Sequence, residues 1–275
     1  MWIKSFSTID AVAVLVALAT LSGIALWLIP GKPIPRVQVW SELEIAAHDR
    51  RLAKYFTTGA ICLVLGGLHM VAKNLPGVDT WLFAGAYGGH MARDLANTHI
   101  LIVGGGTLLL TGTTWYTLPR ICRRPLHSET LATVSFWCTT VGVVGFYVAL
   151  VAIGLVEAHL VHDGRSYLAA RADLGKWHGV PLGMTAGVMG IGYWTYVANV
   201  LMTAYASKGV RAPRPQAHLL KYLVTGALGL LVGTIQGVIQ VQPANFVWLH
   251  KAGGRSLPRS TATGGEPKPS YQYPV

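Results

Sequence analysis

Apolar runs of membrane length alternate along this chain with polar, cation-bearing connections. They fall at residues 11–29, 55–72, 95–118, 131–156, 180–206 and 223–241. Each is close to or above the roughly 20 residues that carry an α-helix across a bilayer core. The pattern predicts an all-α, polytopic membrane helix bundle of about six transmembrane helices over residues 1–252. The residues after it, 253–275, are rich in Pro, Gly, Ser and Thr and read as a disordered tail. The first run reads as a retained helix and not as a cleaved leader. Lys4 is its only preceding cation, Asp10 abuts it, and no small-x-small cleavage site follows. Pro76 and Gly77 end the second run, and a glycine-rich loop through His90 leads into the third.

Composition supports this picture and changes how the charge is read. Hydrophobic residues make up 52% of the chain and charged ones 12%, with a mean hydropathy of +0.45. The 32 glycines suit helices that pack closely in lipid. In such a protein a net charge of +11 sets topology and meets anionic lipid head groups, so no nucleic-acid partner is implied. The first, third and fifth connections carry twelve of the Lys and Arg residues. The termini with the second and fourth connections carry ten, four of them in the long tail. Short, dense cationic loops face the cytoplasm, which predicts both termini on the opposite side. Cys62, Cys122 and Cys138 lie far apart, with no CxxC pair and no CxxCH for covalent haem attachment.

Two histidines lie inside the apolar runs: His69 near the end of the second and His99 near the start of the third. Ionisable groups in lipid are costly and are usually kept with a partner or for a function. Adjacent antiparallel helices hold these two at similar depth, and facing histidines form the usual cage of a low-spin b-type haem. Gly106, seven residues after His99, and Gly66, three before His69, fall on the ligand faces and leave room for a flat macrocycle. The same spacing also suits glycines that pack helices and histidines bonded to backbone carbonyls. His178 and His250, at run ends, are the alternatives for a second ligand. Arg93, with Lys73, Arg165, Arg171 and Lys176, is placed either to pair with propionates or to anchor at the interface. His159 and His162 read as solvated. Gln236, Gln240 and Gln242 read as helix–helix hydrogen-bonding groups, with a quinone pocket as the alternative.

The stretch from Ala96 to Trp137 resembles the large subunit of haem-copper oxidases and their nitric oxide reductase relatives. Ala96-Asn97-Thr98-His99 aligns with the family's AHGH, Gly104 with its glycine, and Tyr116, Pro119 and Arg120 with its Tyr-x-x-Pro-Arg helix end. Leu126 and Ser128 fall near its leucine and serine, and Phe136-Trp137 on its next helix. Asn199, Met202 and Thr203 look like an Asn-x-x-Met-Thr helix end, and residues 240–250 look more loosely like a Gln-x-x-Pro stretch. The resemblance covers about 110 residues. It implies haem b with His99 as the low-spin ligand, since the active-site haem ligand is replaced by Asn97 and the copper or iron ligands are absent. Bonds from neighbouring groups set imidazole orientation, so Asn97, two residues away, is expected to help hold His99. The expected protein is an electron-transfer subunit of a bacterial-type inner-membrane redox complex, with both termini periplasmic. Its partners would be other membrane subunits, a periplasmic cytochrome c or similar redox protein, and quinol. The alternatives are a haem-free structural or assembly subunit, and a terminal reductase completed by a partner chain.

Overall fold

A computed structural model describes residues 42–122, 125–205 and 214–241. The described residues are almost all helical, joined by short turns, with no strand among them. Helix α1 spans Glu42–Lys73, α2 Val78–Ala84 and α3 Ala86–Cys122. Helix α4 follows at Glu129–His162, α5 at Tyr167–Leu174, α6 at Lys176–Tyr205 and α7 at Arg214–Val241. Four segments are long and apolar enough to cross a membrane: Ala47–Lys73, Ala86–Cys122, Glu129–His162 and His218–Ile235. They carry four of the six predicted spans. The fifth predicted span forms all but the last residue of its helix in α6, but Gly, Thr, Tyr, Trp and Asn199 dilute its apolar run. The first predicted span and the tail lie outside the described residues.

The breaks between helices follow local chemistry. After α1 the chain turns through Pro76 and Gly77, the latter at φ +86°, a conformation favoured by glycine. Ser128 caps α4 by accepting from Leu131 N at 3.1 Å, and Ser166 caps α5 by accepting from Ala169 N at 3.3 Å.

Glycines set the packing register, as expected where lipid supplies no hydrophobic drive and backbones must approach closely. Helices α1 and α3 run antiparallel, with Gly59 against Leu109 and Gly112 against Tyr55. Helices α4 and α6 form the most extensive pair, with Gly142 against the Met189 backbone and Gly192 against Thr139. The start of α3 seats Gly85 and Gly88 on Ala158 and Glu157 of α4. The core so formed contains Tyr55, Ile100, Leu108, Trp115, Val143 and Val200. Val64, Leu68, Ile102, Leu110, Trp137, Val141 and Val148 remain exposed on the outside of the bundle, where lipid would meet them.

The end of the bundle opposite His99 is closed by polar bonds around Tyr116, Pro119, Arg120, Ser128, Asn199 and Thr203. Pro119 lies inside α3 and has no N–H to give to the carbonyl of Trp115, one turn before it. His48 of α1 supplies the missing donor: its Nε2 lies 3.0 Å from Trp115 O. Its Nδ1 lies 3.1 Å from Glu129 Oε1, and Arg51 reaches the other oxygen of that carboxylate at 3.4 Å. A carbonyl and an ion-paired carboxylate both accept, so both ring nitrogens of the buried His48 donate. Arg120 binds both oxygens of Asp49 at 2.9 Å, donates to Tyr116 O at 2.7 Å and stacks 3.7 Å from the Tyr116 ring centroid. Asn199, fully buried in α6, accepts from Ser128 N at 3.0 Å and donates to Ser128 O at 2.8 Å. Thr203 Oγ1 donates to Asn199 O at 2.7 Å and accepts from His127 N at 3.0 Å. Tyr116, Pro119, Arg120, Ser128, Asn199 and Thr203 therefore clasp the ends of α1, α3, α4 and α6.

Candidate functional site

His99 begins a π-helical stretch, His99–Gly106, that follows an earlier one at Met91–Leu95 within α3. Bonds in such a stretch run from i to i+5, so some carbonyls lose their regular partner. Side chains take them up. His99 Nδ1 donates to Leu95 O at 2.8 Å, Thr107 Oγ1 to Ile102 O at 3.4 Å, and Tyr193 Oη to Val103 O at 3.5 Å. With the proton on Nδ1, the lone pair of His99 Nε2 is available. The ring is half-buried, 4.8 Å between centroids from Phe146 of α4 at 43°.

His69 of α1 also rests on α4. Its Nδ1 lies 2.9 Å from Tyr147 Oη, and its ring faces the backbone carbonyls of Ala92 and Arg93 within the first π stretch. Phe146 and Tyr147 are successive residues and point about 100° apart around α4. The two histidines thus share α4 as a wall but touch different sides of it.

The two glycines differ. Gly106 is open, with Leu101 O at 3.9 Å the nearest atom a side chain would meet. Gly66 is filled: a Cβ there would collide with Leu101, whose side chain occupies the notch. Asn97 is buried and directs its Nδ2 to Met70 Sδ at 3.7 Å, while its Oδ1 has no hydrogen-bond partner. Its recorded contact is with Met70 and not with His99.

Arg93, Lys73 and Arg165 at this end are paired with carboxylates. Arg93 lies 2.8 Å from Asp79 and 3.5 Å from Asp94. Lys73 lies 2.8 Å from Asp94, and His90 joins the same carboxylate at 3.1 Å. Arg165 faces Asp173 at 3.8 Å, Arg171 donates to Tyr167 Oη at 3.3 Å, and Lys176 sits 5.7 Å from the Trp177 ring. His162 is exposed but ordered by stacking on Trp81, 4.8 Å away at 18°, with Nε2 2.9 Å from Trp81 O. His159 faces Asp163 at 3.7 Å. Among the described residues no group of three or more His, Cys, Asp or Glu converges to hold a metal ion.

His178 is engaged elsewhere than near His99. Its Nε2 stands 3.2 Å from Glu157 Oε1, and Glu157 is fully buried. Sequence reasoning ended the fourth span at Val156 and passed over Glu157. The signal was present, because no other charged residue lies between Glu129 and Asp163 in that long apolar helix. His250 and Gln242, and the side chains of Gln236 and Gln240, lie outside the described residues. No protein family, no curated protein and no solved structure matches this chain.

Proposed function

We propose that this chain is a membrane haem b electron-transfer subunit of a respiratory redox complex. It would resemble part of a haem-copper oxidase large subunit that has lost the oxygen-reducing centre. The observation that carries the reading is the His99 ring: a carbonyl holds its Nδ1, leaving Nε2 for iron. Ligating histidines are usually oriented by such a bond, which fixes the tautomer and raises ligand basicity. On the His99 side the ring itself fits the group, with Phe146 supporting it; the π-helical stretch between them turns the open Gly106 off the His99 face. His69 is the proposed opposite ligand, with Tyr147 on its Nδ1; to bind iron it must turn from the Ala92 and Arg93 carbonyls that its ring faces. A macrocycle seated between α1 and α3 needs Leu101 to leave the notch at Gly66. When bound, the haem would accept and pass on single electrons. The chain's own part is to hold the imidazoles and keep water away; Lys73 and Arg93 at the His99 end are already paired with Asp94 and Asp79.

The proposed setting is a bacterial-type inner membrane, with both termini periplasmic and the His99 end on that side. Other membrane subunits, a periplasmic cytochrome c or similar redox protein, and quinol are the proposed partners. A cysteine placed at Arg214 in intact cells is expected to resist a membrane-impermeant thiol reagent, because that connection faces the cytoplasm. Labelling from outside would reverse the orientation.

One observation favours a second reading, a haem-free structural subunit of a respiratory complex. Leu101 fills Gly66, and the α1–α3 seam is close-packed at Gly59, Gly105 and Gly112. A reduced-minus-oxidised visible spectrum of the purified chain separates the two. A b-type α-band supports the haem subunit, and a flat spectrum assigns the structural one.

A further inference from the structure

Glu157 belongs to neither the clasp nor the histidine pair, yet it is the most deeply buried carboxylate described. Its exposure is 0%, and the backbone of α3 covers it at Gly88, where any Cβ would strike Glu157 Cβ. Neither carboxylate oxygen, nor Nε2 of His178, has its hydrogen-bonding capacity met by protein neighbours in good geometry. The Oε1–Nε2 separation is nevertheless 3.2 Å, and the His178 side chain is 14% exposed. Buried polar atoms are almost always bonded, so three orphans in one place mark a group made to hold something that donates. An ionisable residue fully buried within a membrane-length helix points to function in the same way.

The groups around the pair narrow what that is. Helix α5 brings the Arg171 guanidinium, whose charge acts on both Glu157 and His178. Tyr167 of α5 and Tyr87 of α3 stand behind it, with ring centroids 5.7 Å apart, and Arg171 is bonded to Tyr167. From α6 only His178 faces the carboxylate with an ionisable group. A metal cation would find one carboxylate, one imidazole and a nearby guanidinium, which is a poor donor set. A proton suits all three: it binds a carboxylate or an imidazole, and the fixed Arg171 charge offsets the carboxylate when the proton leaves.

We propose that Glu157 and His178 form a proton-binding site that exchanges with water at the α5–α6 side of the bundle. One proton is held between Oε1 and Nε2. On release the carboxyl O–H bond breaks and the proton passes to Nε2, leaving a carboxylate and an imidazolium. The imidazolium then gives its Nδ1 proton to water, so one proton leaves and the pair is ready to take one back. His178 is the route because Glu157 has no exposed surface and His178 has some. The site rests on this geometry alone and is independent of any haem at His99.

The test is a pH-difference infrared spectrum of the full chain in phosphatidylcholine vesicles, scanned from about pH 5 to about pH 9. A carboxylic C=O band that titrates is expected, absent in Glu157→Gln and with its midpoint moved by at least about one pH unit in His178→Gln. A wild-type spectrum reproduced by Glu157→Gln, or a midpoint unmoved in His178→Gln, overturns the proposal. Should either variant fail to fold, the unmodified sequence treated with dicyclohexylcarbodiimide decides. This apolar reagent adds to protonated carboxyls. Mass addition at Glu157 that falls as pH rises supports the site, and no addition at any pH overturns it.

Discussion

His48→Ala is expected to destabilise the bundle by about 2–4 kcal/mol, through a backbone carbonyl left without a donor. The ring of His48 is buried at 3% exposure and bridges Trp115 O and Glu129. The carbonyl is the larger part, because a buried acceptor that loses a donor it depends on costs its desolvation. The Glu129 contact adds less, since that carboxylate is 41% exposed and keeps Arg51. The vacancy at Trp115 O exists because Pro119 brings no N–H, which gives a sharp control. Pro119→Ala restores a helical donor to the same carbonyl. In the double variant His48→Ala/Pro119→Ala the loss should be smaller than the sum of the two single losses. Thermal unfolding in detergent measures all four corners of this cycle. Additive losses would mean that His48 does not stand in for the missing N–H.

That clasp shows what the sequence made legible and what it hid. Hydropathy located the helices carrying the second, third, fourth and sixth predicted spans, because lipid-facing sides need apolar residues whatever the packing. The extension of α1 back to Glu42 was less visible, since its first turns are charged and read as a connection. The helix of α6 was found although its polar and aromatic residues, such as Tyr193 and Tyr196 turned toward α3 and Asn199 and Thr203 in the clasp, leave it less apolar than a simple span. Asn199 and Thr203 were noticed as a motif, but their role as bonds to Ser128 and His127 depends on where α6 meets the α3–α4 connection. His48 passed as a loop histidine for the same reason: its partner lies 67 residues away along the chain.

At the candidate site the histidine positions were legible, and their surroundings were not. Inspection of spacing cannot tell an open glycine from a filled one. Gly106 and Gly66 look alike in sequence, and only the neighbouring Leu101 separates them. Asn97 lies two residues from His99, so the helix turns it about 200° away, toward Met70. Arg93 and Lys73 read as propionate partners or interfacial anchors because their carboxylates come from other helices: Asp79 of α2 meets Arg93, and Asp94 of α3 meets Lys73 of α1. Glu157 was overlooked because it sits one residue past an apolar run, where charged residues ordinarily reach water. The glycines of α3 that bury it are set by packing.

His99→Ala carries the other large expectation. If His99 is the ligand, removing its imidazole leaves iron without that axial bond, and haem b should be lost, not merely weakened. His162→Ala should leave the haem in place, since His162 is committed to Trp81 at the surface. His69→Ala should act like His99→Ala where α1 supplies the opposite ligand. Asn97→Ala should leave occupancy unchanged, because its contact runs to Met70. The most direct measurement is the haem-to-protein ratio, by reduced-minus-oxidised spectrum of the purified chain, for wild type and His99→Ala side by side. The account predicts a b-type α-band in the wild type and its loss in His99→Ala with the fold intact. A full, unshifted band in His99→Ala would contradict it.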